Sequence, residues 1–320
     1  MTVRVGIVGW GEIARQHARA LTISGARVRG VVSRSGAAPD GATCFESLDA
    51  MLPHVDAVTI AVPNHLHAAH CLTAVQAGVP VLVEKPLITS AAQLAELEPA
   101  LLSADSPVHV GFRLRWNPQL LRFRAALQPA LSQDVEISCS YELGIDALAD
   151  GKDWTRQLVQ TGGTFFTLGV HMLDLARWLA RLEGESLSDM EASADGSAEN
   201  VDYPLRMRVT GMSPGGARIV AVADTRERLP YCIQISARGP NDAILEQLQL
   251  DASSEKAEYE AMMRDFVEAT VSHRIDLTNT REILQVHREL LYARALAPDD
   301  HASPPDSPRA GARETDARDH

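Results

Sequence analysis

Short, continuously apolar runs rich in β-branched residues punctuate the first hundred residues, at 3–8, 28–32, 57–62 and 79–83. Such runs suit strands buried on both faces, because neither side of the sheet meets water. Between them lie stretches with apolar positions at helical spacing, at 13–24, 47–52 and 67–77. Gly25 and Gly78 stand where a left-handed residue closes a helix. Strand followed by helix, repeated, predicts a parallel sheet with right-handed crossovers. A further helix at 91–102 and a strand at 108–112 complete that unit.

The pattern then changes. After a helix at 118–131 come strand candidates with looser alternation, at 135–141, 205–210, 217–223, 231–237 and 243–250. Clusters such as Ser213-Pro214-Gly215-Gly216 separate them, as antiparallel connections require. Helices are expected at 167–180, 255–272 and 280–296. The fold class is therefore α/β plus α+β. A doubly wound parallel sheet occupies 1–112, and a large, mostly antiparallel open sheet with helices on one face is built from 113–297. Residues 298–320 are rich in Pro, Asp, Arg and Ala without an apolar stripe, the composition of a disordered tail.

Composition narrows the classes of function. Of 320 residues, 30 are Lys or Arg and 42 are Asp or Glu, a formal net charge of −12. No basic patch offsets that balance, which argues against nucleic acid or an anionic membrane as partner. Four cysteines, Cys44, Cys71, Cys139 and Cys232, form no close pair, so neither a metal site nor a redox dithiol is expected. No apolar run approaches the roughly 20 residues that span a bilayer, and no leader precedes the first strand. The expected location is the cytoplasm.

Candidate chemistry begins at Gly9-Trp10-Gly11-Glu12-Ile13-Ala14, which follows the first strand and opens the first helix. This is the dinucleotide-binding fingerprint of the Rossmann fold in the context it needs. Gly9 permits the tight turn, Gly11 lets the backbone approach a diphosphate, Ala14 keeps helix and sheet close, and the helix N-terminus faces the anion. A glycine turn without a ligand is the plainer alternative. An acidic residue at the end of the second strand would accept the adenosine ribose hydroxyls. Ser33-Arg34-Ser35 stands there instead. Arginine offers a planar, permanently charged fork to a 2′-phosphate, so the expected cofactor is NADP, with NAD possible. The alternative for Arg34 is a solvated loop arginine.

Four further segments carry a family resemblance: Ala61-Val62-Pro63-Asn64-His65-Leu66-His67, Glu84-Lys85-Pro86, Gly111-Phe112-Arg113-Leu114-Arg115-Trp116-Asn117-Pro118, and Gly162-Gly163-Thr164-Phe165-Phe166-Thr167-Leu168-Gly169-Val170-His171-Met172-Leu173-Asp174. With the glycine loop, in this order, the chain over 3–297 resembles the Gfo/Idh/MocA oxidoreductases, the glucose–fructose oxidoreductases, inositol dehydrogenases and their relatives. The resemblance implies a Rossmann domain followed by an α+β domain whose open sheet forms a dimer or tetramer interface, with substrate between the two. It implies that Lys85 lies beside nicotinamide and substrate, that the bond before Pro86 is cis, and that His171 is the catalytic histidine. Pro63, Asn64, His67 and Glu84 would join Gly9, Gly11, Glu12, Ile13, Ala14, Ser33 and Arg34 around the cofactor. Arg113, Trp154 and Arg156, with Thr167 and His171, would line the substrate pocket.

Thr167 departs from the polyol dehydrogenases of the family, which often carry Asp four residues before the histidine. That leaves a Lys85–His171 pair, with Asp174 orienting the histidine or its helix. Read alone, Lys85 could be a surface lysine and His171 a satisfied core histidine. The activity implied is hydride transfer between nicotinamide and a secondary alcohol or ketone of a sugar, cyclitol or modified sugar. Alternatives on the same scaffold are a dinucleotide-assisted glycoside hydrolase, an imine or C=C reductase, and a protein that binds NADP without turnover.

Overall fold

The computed structural model describes residues 2–131, 134–149, 152–226 and 229–297; the tail expected over 298–320 lies outside the described residues. The chain opens with β1 (Arg4–Val8), α1 (Glu12–Ile23), β2 (Arg27–Val32), β3 (Thr43–Phe45), α2 (Leu48–Met51), β4 (Ala57–Ile60), α3 (His67–Gln76), β5 (Val81–Val83), α4 (Ala91–Leu102) and β6 (Val108–Val110). Its six strands run parallel in the order β3-β2-β1-β4-β5-β6. The order reverses between β1 and β4, and the carboxyl ends on either side of that reversal open a crevice. Strands β4 and β5 are buried along their whole length, as their unbroken apolar runs require.

Local chemistry sets the boundaries. Helix α1 has Glu12 in its first turn and is closed by Gly25 in a left-handed conformation. The Ser90 hydroxyl accepts from the Gln93 N–H and caps α4. The helix expected over 118–131 stops as α5 (Pro118–Leu127), because Pro129 has no N–H to continue it and the chain tightens at Gln128–Ala130. Strand β3, only three residues long, was not anticipated.

The second sheet follows α5. Its elements are β7 (Glu136–Glu142), α6 (Ile145–Ala149), α7 (Leu158–Thr161), α8 (Val170–Leu179), β8 (Ser188–Asp195), β9 (Arg206–Met212), β10 (Arg218–Asp224), β11 (Cys232–Arg238) and β12 (Ile244–Leu250). The strand order is β12-β11-β7-β10-β9-β8, antiparallel except for the pair β7 and β10. Strand β7 alternates buried Ile137, Cys139 and Tyr141 with half-buried polar residues, and α8 packs on its apolar side. The single helix expected at 167–180 is a π-helical turn, Phe165–Gly169, followed by α8. Strand β8 was missed because its sequence, SDMEASAD, is polar and mostly exposed.

Two long helices close the described chain, α9 (Glu255–Ser272) and α10 (Leu277–Leu296). Helix α9, expected within the second unit, packs instead on α1. Its Tyr259, Met262, Met263, Phe266 and Val267 share one apolar core with Val5, Ile7, Ala14 and Leu21 of the first sheet. Helix α10 packs on both α4 and α8 and so joins the two halves. Among the described residues, no helix is long and apolar enough to cross a membrane.

Between α8 and α10 the guanidinium of Arg177 is wholly buried. Its Nε donates to Glu282 Oε1 at 2.8 Å and its Nη1 to Glu289 at 2.8 Å, while Nη2 reaches the Glu185 carbonyl at 2.8 Å. Both carboxylates also receive backbone N–H groups, from Gly184 and Leu187. Removing the cation would leave two buried carboxylates uncompensated, a loss of about 3–5 kcal/mol. Arg177→Leu should therefore lower the urea midpoint by that equivalent; an unchanged midpoint would show that the cluster does not hold α8 to α10.

Candidate active site

The crevice at the strand reversal opens into a cavity of about 930 Å³ that runs from the glycine loop to α8. Its near wall is the fingerprint. Gly9 has φ +97°, and a Cβ there would stand 2.3 Å from the Ala61 carbonyl oxygen, so only glycine fits. Gly11 is the reverse case: nothing lies within 4 Å of the place its Cβ would take, which leaves open space above the backbone. No side chain caps the N-terminus of α1, and its first N–H groups face that space. Such a cradle fits a diphosphate. Glu12 and Ile13 line the cavity, whereas Ala14 is buried beneath it in the core shared with α9.

At the end of β2, Ser33 and Arg34 form the rim. The Ser33 and Ser35 hydroxyls lie 2.9 Å apart and shape the turn, and Arg34 is exposed. Among the described residues no carboxylate pairs with it.

The loop after β4 is held from both sides. Asn64 Nδ2 donates to the Thr161 carbonyl at 3.1 Å, tying this loop to α7. His67, expected at the cofactor, is buried with Nδ1 at 2.7 Å from the Pro86 carbonyl and Nε2 at 2.8 Å from the Val62 carbonyl. With both nitrogens against backbone, His67 braces the loop and offers no ring nitrogen to a ligand. Pro63 lies on the cavity wall.

Lys85 follows β5 at the same sheet edge, and the Lys85–Pro86 peptide is cis, as the resemblance implied. Its Nζ donates to the Thr167 carbonyl at 3.0 Å, within the π-helical turn. Burial pushes the Lys85 ammonium down to about 8; the Glu84 carboxylate opposes that fall and Arg113 adds to it. Glu84 is buried and takes a 2.9 Å contact from His17 Nε2. Burial disfavours its charge, but the His17 contact and the nearby Lys85 outweigh burial and hold the carboxyl below its usual range.

His171 opens the first turn of α8, buried against the rings of Phe112 and Tyr141, with centroids at 6.4 and 6.1 Å. Its Nδ1 is sealed from solvent without a partner among the described residues. Burial, then the charges of Lys85 and Arg113, hold its imidazole well below the ordinary range, so the ring is neutral. Asp174 does not orient it. That carboxylate accepts from Arg115, with Nε at 3.0 Å, and burial raises it to about 6.

Three of the residues expected at the substrate are engaged elsewhere. Thr167 donates its hydroxyl to the Gly163 carbonyl at 3.1 Å and gives only its own carbonyl to Lys85. Arg113 lines the cavity, yet its guanidinium is spent on Glu258, on Glu255 at 3.2 Å and on the Tyr231 hydroxyl at 3.1 Å. Arg156 pairs with Asp146 and is off the cavity wall. Trp154 is on the wall, and so are Trp10, Tyr141, Lys152, Gln160, Glu255 and Tyr259, which the sequence did not single out.

Residues 3–112 match the family described as "Oxidoreductase family, NAD-binding Rossmann fold". Inositol 2-dehydrogenase 1 of Saccharopolyspora erythraea is 32% identical over 198 residues, 57% of this chain and 56% of that protein. The chain thus spans just over half the length of this curated relative. Myo-inositol 2-dehydrogenase from Lactobacillus plantarum superposes with a TM-score of 0.75 at 15% identity, covering 92% of this chain and 97% of that one. GenD2 from gentamicin A biosynthesis, solved in complex with NAD, gives 0.75 at 21%, covering 92% and 94%. At these identities the structures establish a shared fold.

Neutralising Glu84 removes the charge that supports Lys85. In Glu84→Gln the Lys85 amine should titrate below its value of about 8. Amine labelling as a function of pH, read by mass spectrometry, isolates the group because the chain has only Lys85, Lys152 and Lys256. An unmoved titration would mean that Glu84 does not set the charge of Lys85.

Proposed function

We propose that the chain is a Gfo/Idh/MocA oxidoreductase, the family whose model residues 3–112 match, and that it is an NADP-dependent dehydrogenase or reductase acting on a secondary alcohol or ketone of an uncharged sugar or cyclitol. The observation that carries this reading is the half-buried Lys85 beside neutral His171, in one cavity with an open glycine loop. The names of the curated relatives support the cyclitol class.

The cofactor would lie along the glycine loop, with Arg34 toward a 2′-phosphate and Pro63 and Glu84 on the facing wall. When bound, the nicotinamide supplies the hydride chemistry. Lys85, whose ammonium is held at about 8, can keep or release a proton at the substrate oxygen near neutral pH. His171 stays neutral and supplies a hydrogen-bonding nitrogen to that oxygen. The resemblance pairs Lys85 with His171 and makes the histidine catalytic; in this reading the lysine carries the proton, because His171 is buried beside two cations, which a sequence motif does not show.

The cavity also selects by charge. The Arg113 guanidinium is matched by Glu255 and Glu258, so it is not available to a substrate phosphate or carboxylate. Leu143, Leu148 and Trp154 give an apolar wall, while Tyr141, Thr155 and Gln160 give polar edges. A neutral hydroxylated ring has the same alternation of apolar faces and polar rim. A homo-oligomer is part of this reading; exposed Ile244 and Leu245 on edge strand β12 support contact through the second sheet.

Two measurements test the reading. With neutral cyclitols and NADP, oxidation should rise with pH through about 8 and level off, since the neutral amine is the base. Lys85→Met should lose at least about 100-fold in kcat; retained turnover would remove Lys85 from the chemistry. In fluorescence titrations Arg34→Ala should weaken NADPH by about tenfold and leave NADH unchanged, the scale of one lost charge-assisted contact. Equal losses for both dinucleotides would remove the 2′-phosphate assignment.

A further inference from the structure

The second half of the chain sends one cation to the glycine loop. Lys152, just before the tight turn Asp153–Arg156, lines the same cavity as Glu12 and brings its Nζ to 4.0 Å from Glu12 Oε2. Glu12 is the first residue of α1, immediately beyond the open space over Gly11. A carboxylate suits the positive end of a helix dipole. It is also a like charge beside the place where a diphosphate fits, and although the Glu12 side chain is 63% exposed, like charges a few ångströms apart still repel through water. At 4.0 Å the ammonium and carboxylate attract without being locked in a hydrogen bond. The lysine side chain is 43% exposed and its ammonium carries three donors, so it can serve Glu12 and an arriving anion together.

We propose that Lys152 is a cofactor-binding residue supplied by the second half of the chain: it offsets Glu12 and pairs with the dinucleotide diphosphate. The inference rests on the dinucleotide reading given above. Glu12 has a definite part in it, since it holds the ammonium over the loop before the anion arrives. Lys152 and Trp154 flank a single residue, Asp153, and both side chains line the cavity.

The test is a titration of the full chain with NADPH, followed by energy transfer from tryptophan, at low and high salt. Trp10 and Trp154 both line the cavity and report binding independently of turnover. Lys152→Ala should weaken NADPH by about tenfold at low salt, with a smaller loss at high salt where the pair is screened. Adding Glu12→Gln to Lys152→Ala should recover about threefold, because the unshielded carboxylate is then gone. Lys152→Arg should stay near wild type. Lys256→Ala, which removes a lysine outside this cavity that pairs with Glu260, should leave binding unchanged. If Lys152→Ala binds NADPH as wild type does, the bridge is wrong while the dinucleotide site stands. A wild-type chain that binds neither NADPH nor NADH overturns the dinucleotide reading and this inference together.

Discussion

An ammonium drawn partly out of water must be compensated, and the compensation of half-buried Lys85 lies at the centre of this molecule. The amine lies where the carboxyl edge of the first sheet meets α8 of the second. On one side Glu84 supplies a counter-charge and is itself held by His17 from α1. On the other, a π-helical turn presents the Thr167 carbonyl to Nζ at 3.0 Å. Short π-helical turns leave the regular ladder and are often found at functional sites. Arg113, the next cation, still repels Lys85, and Glu255 from α9 opposes that repulsion while Glu258 holds the guanidinium. These partners come from α1, the end of β5, the π-helical turn before α8, and α9, so the amine draws its compensation from several elements at once.

Local features of the sequence were read accurately, and long-range ones were not. The glycine loop could be read because a strand, two glycines and a helix start lie within a dozen residues. The ends of α4 and α9 matched expectation because cap and apolar stripe coincide. Strand β8 was illegible: an exposed, polar edge strand lacks both the β-branched content and the alternation that mark a strand. The locking of Arg113 by Glu258 joins residues 145 apart in sequence, and nothing near either one announces the other. His67 shows a different limit. Its motif placed it at the cavity, correctly, but only coordinates show that two carbonyls already occupy its ring. Tyr141 left a faint trace as the last buried position of an alternating strand, without any hint that it touches His171.

The same limits apply to the protonation of the central pair. Residue type makes histidine the natural proton carrier near neutrality and lysine a permanent cation. Environment inverts that order here. A neutral imidazole wedged among Phe112, Tyr141 and two cations gains nothing from a proton, while an amine removed from water gives one up more readily.

Helix α9 is among the last parts of the described chain to leave the ribosome, yet Met262, Met263 and Phe266 fill the core behind β1. Until about residue 267 has emerged, the first sheet carries an uncovered apolar groove along α1. The nascent amino-terminal half therefore waits, incompletely folded, through the synthesis of the whole second sheet. An amino-terminal fragment ending near residue 112 would keep that groove for good, as a surface open to self-association. The halves of this protein are separable as sheets but not as folding units.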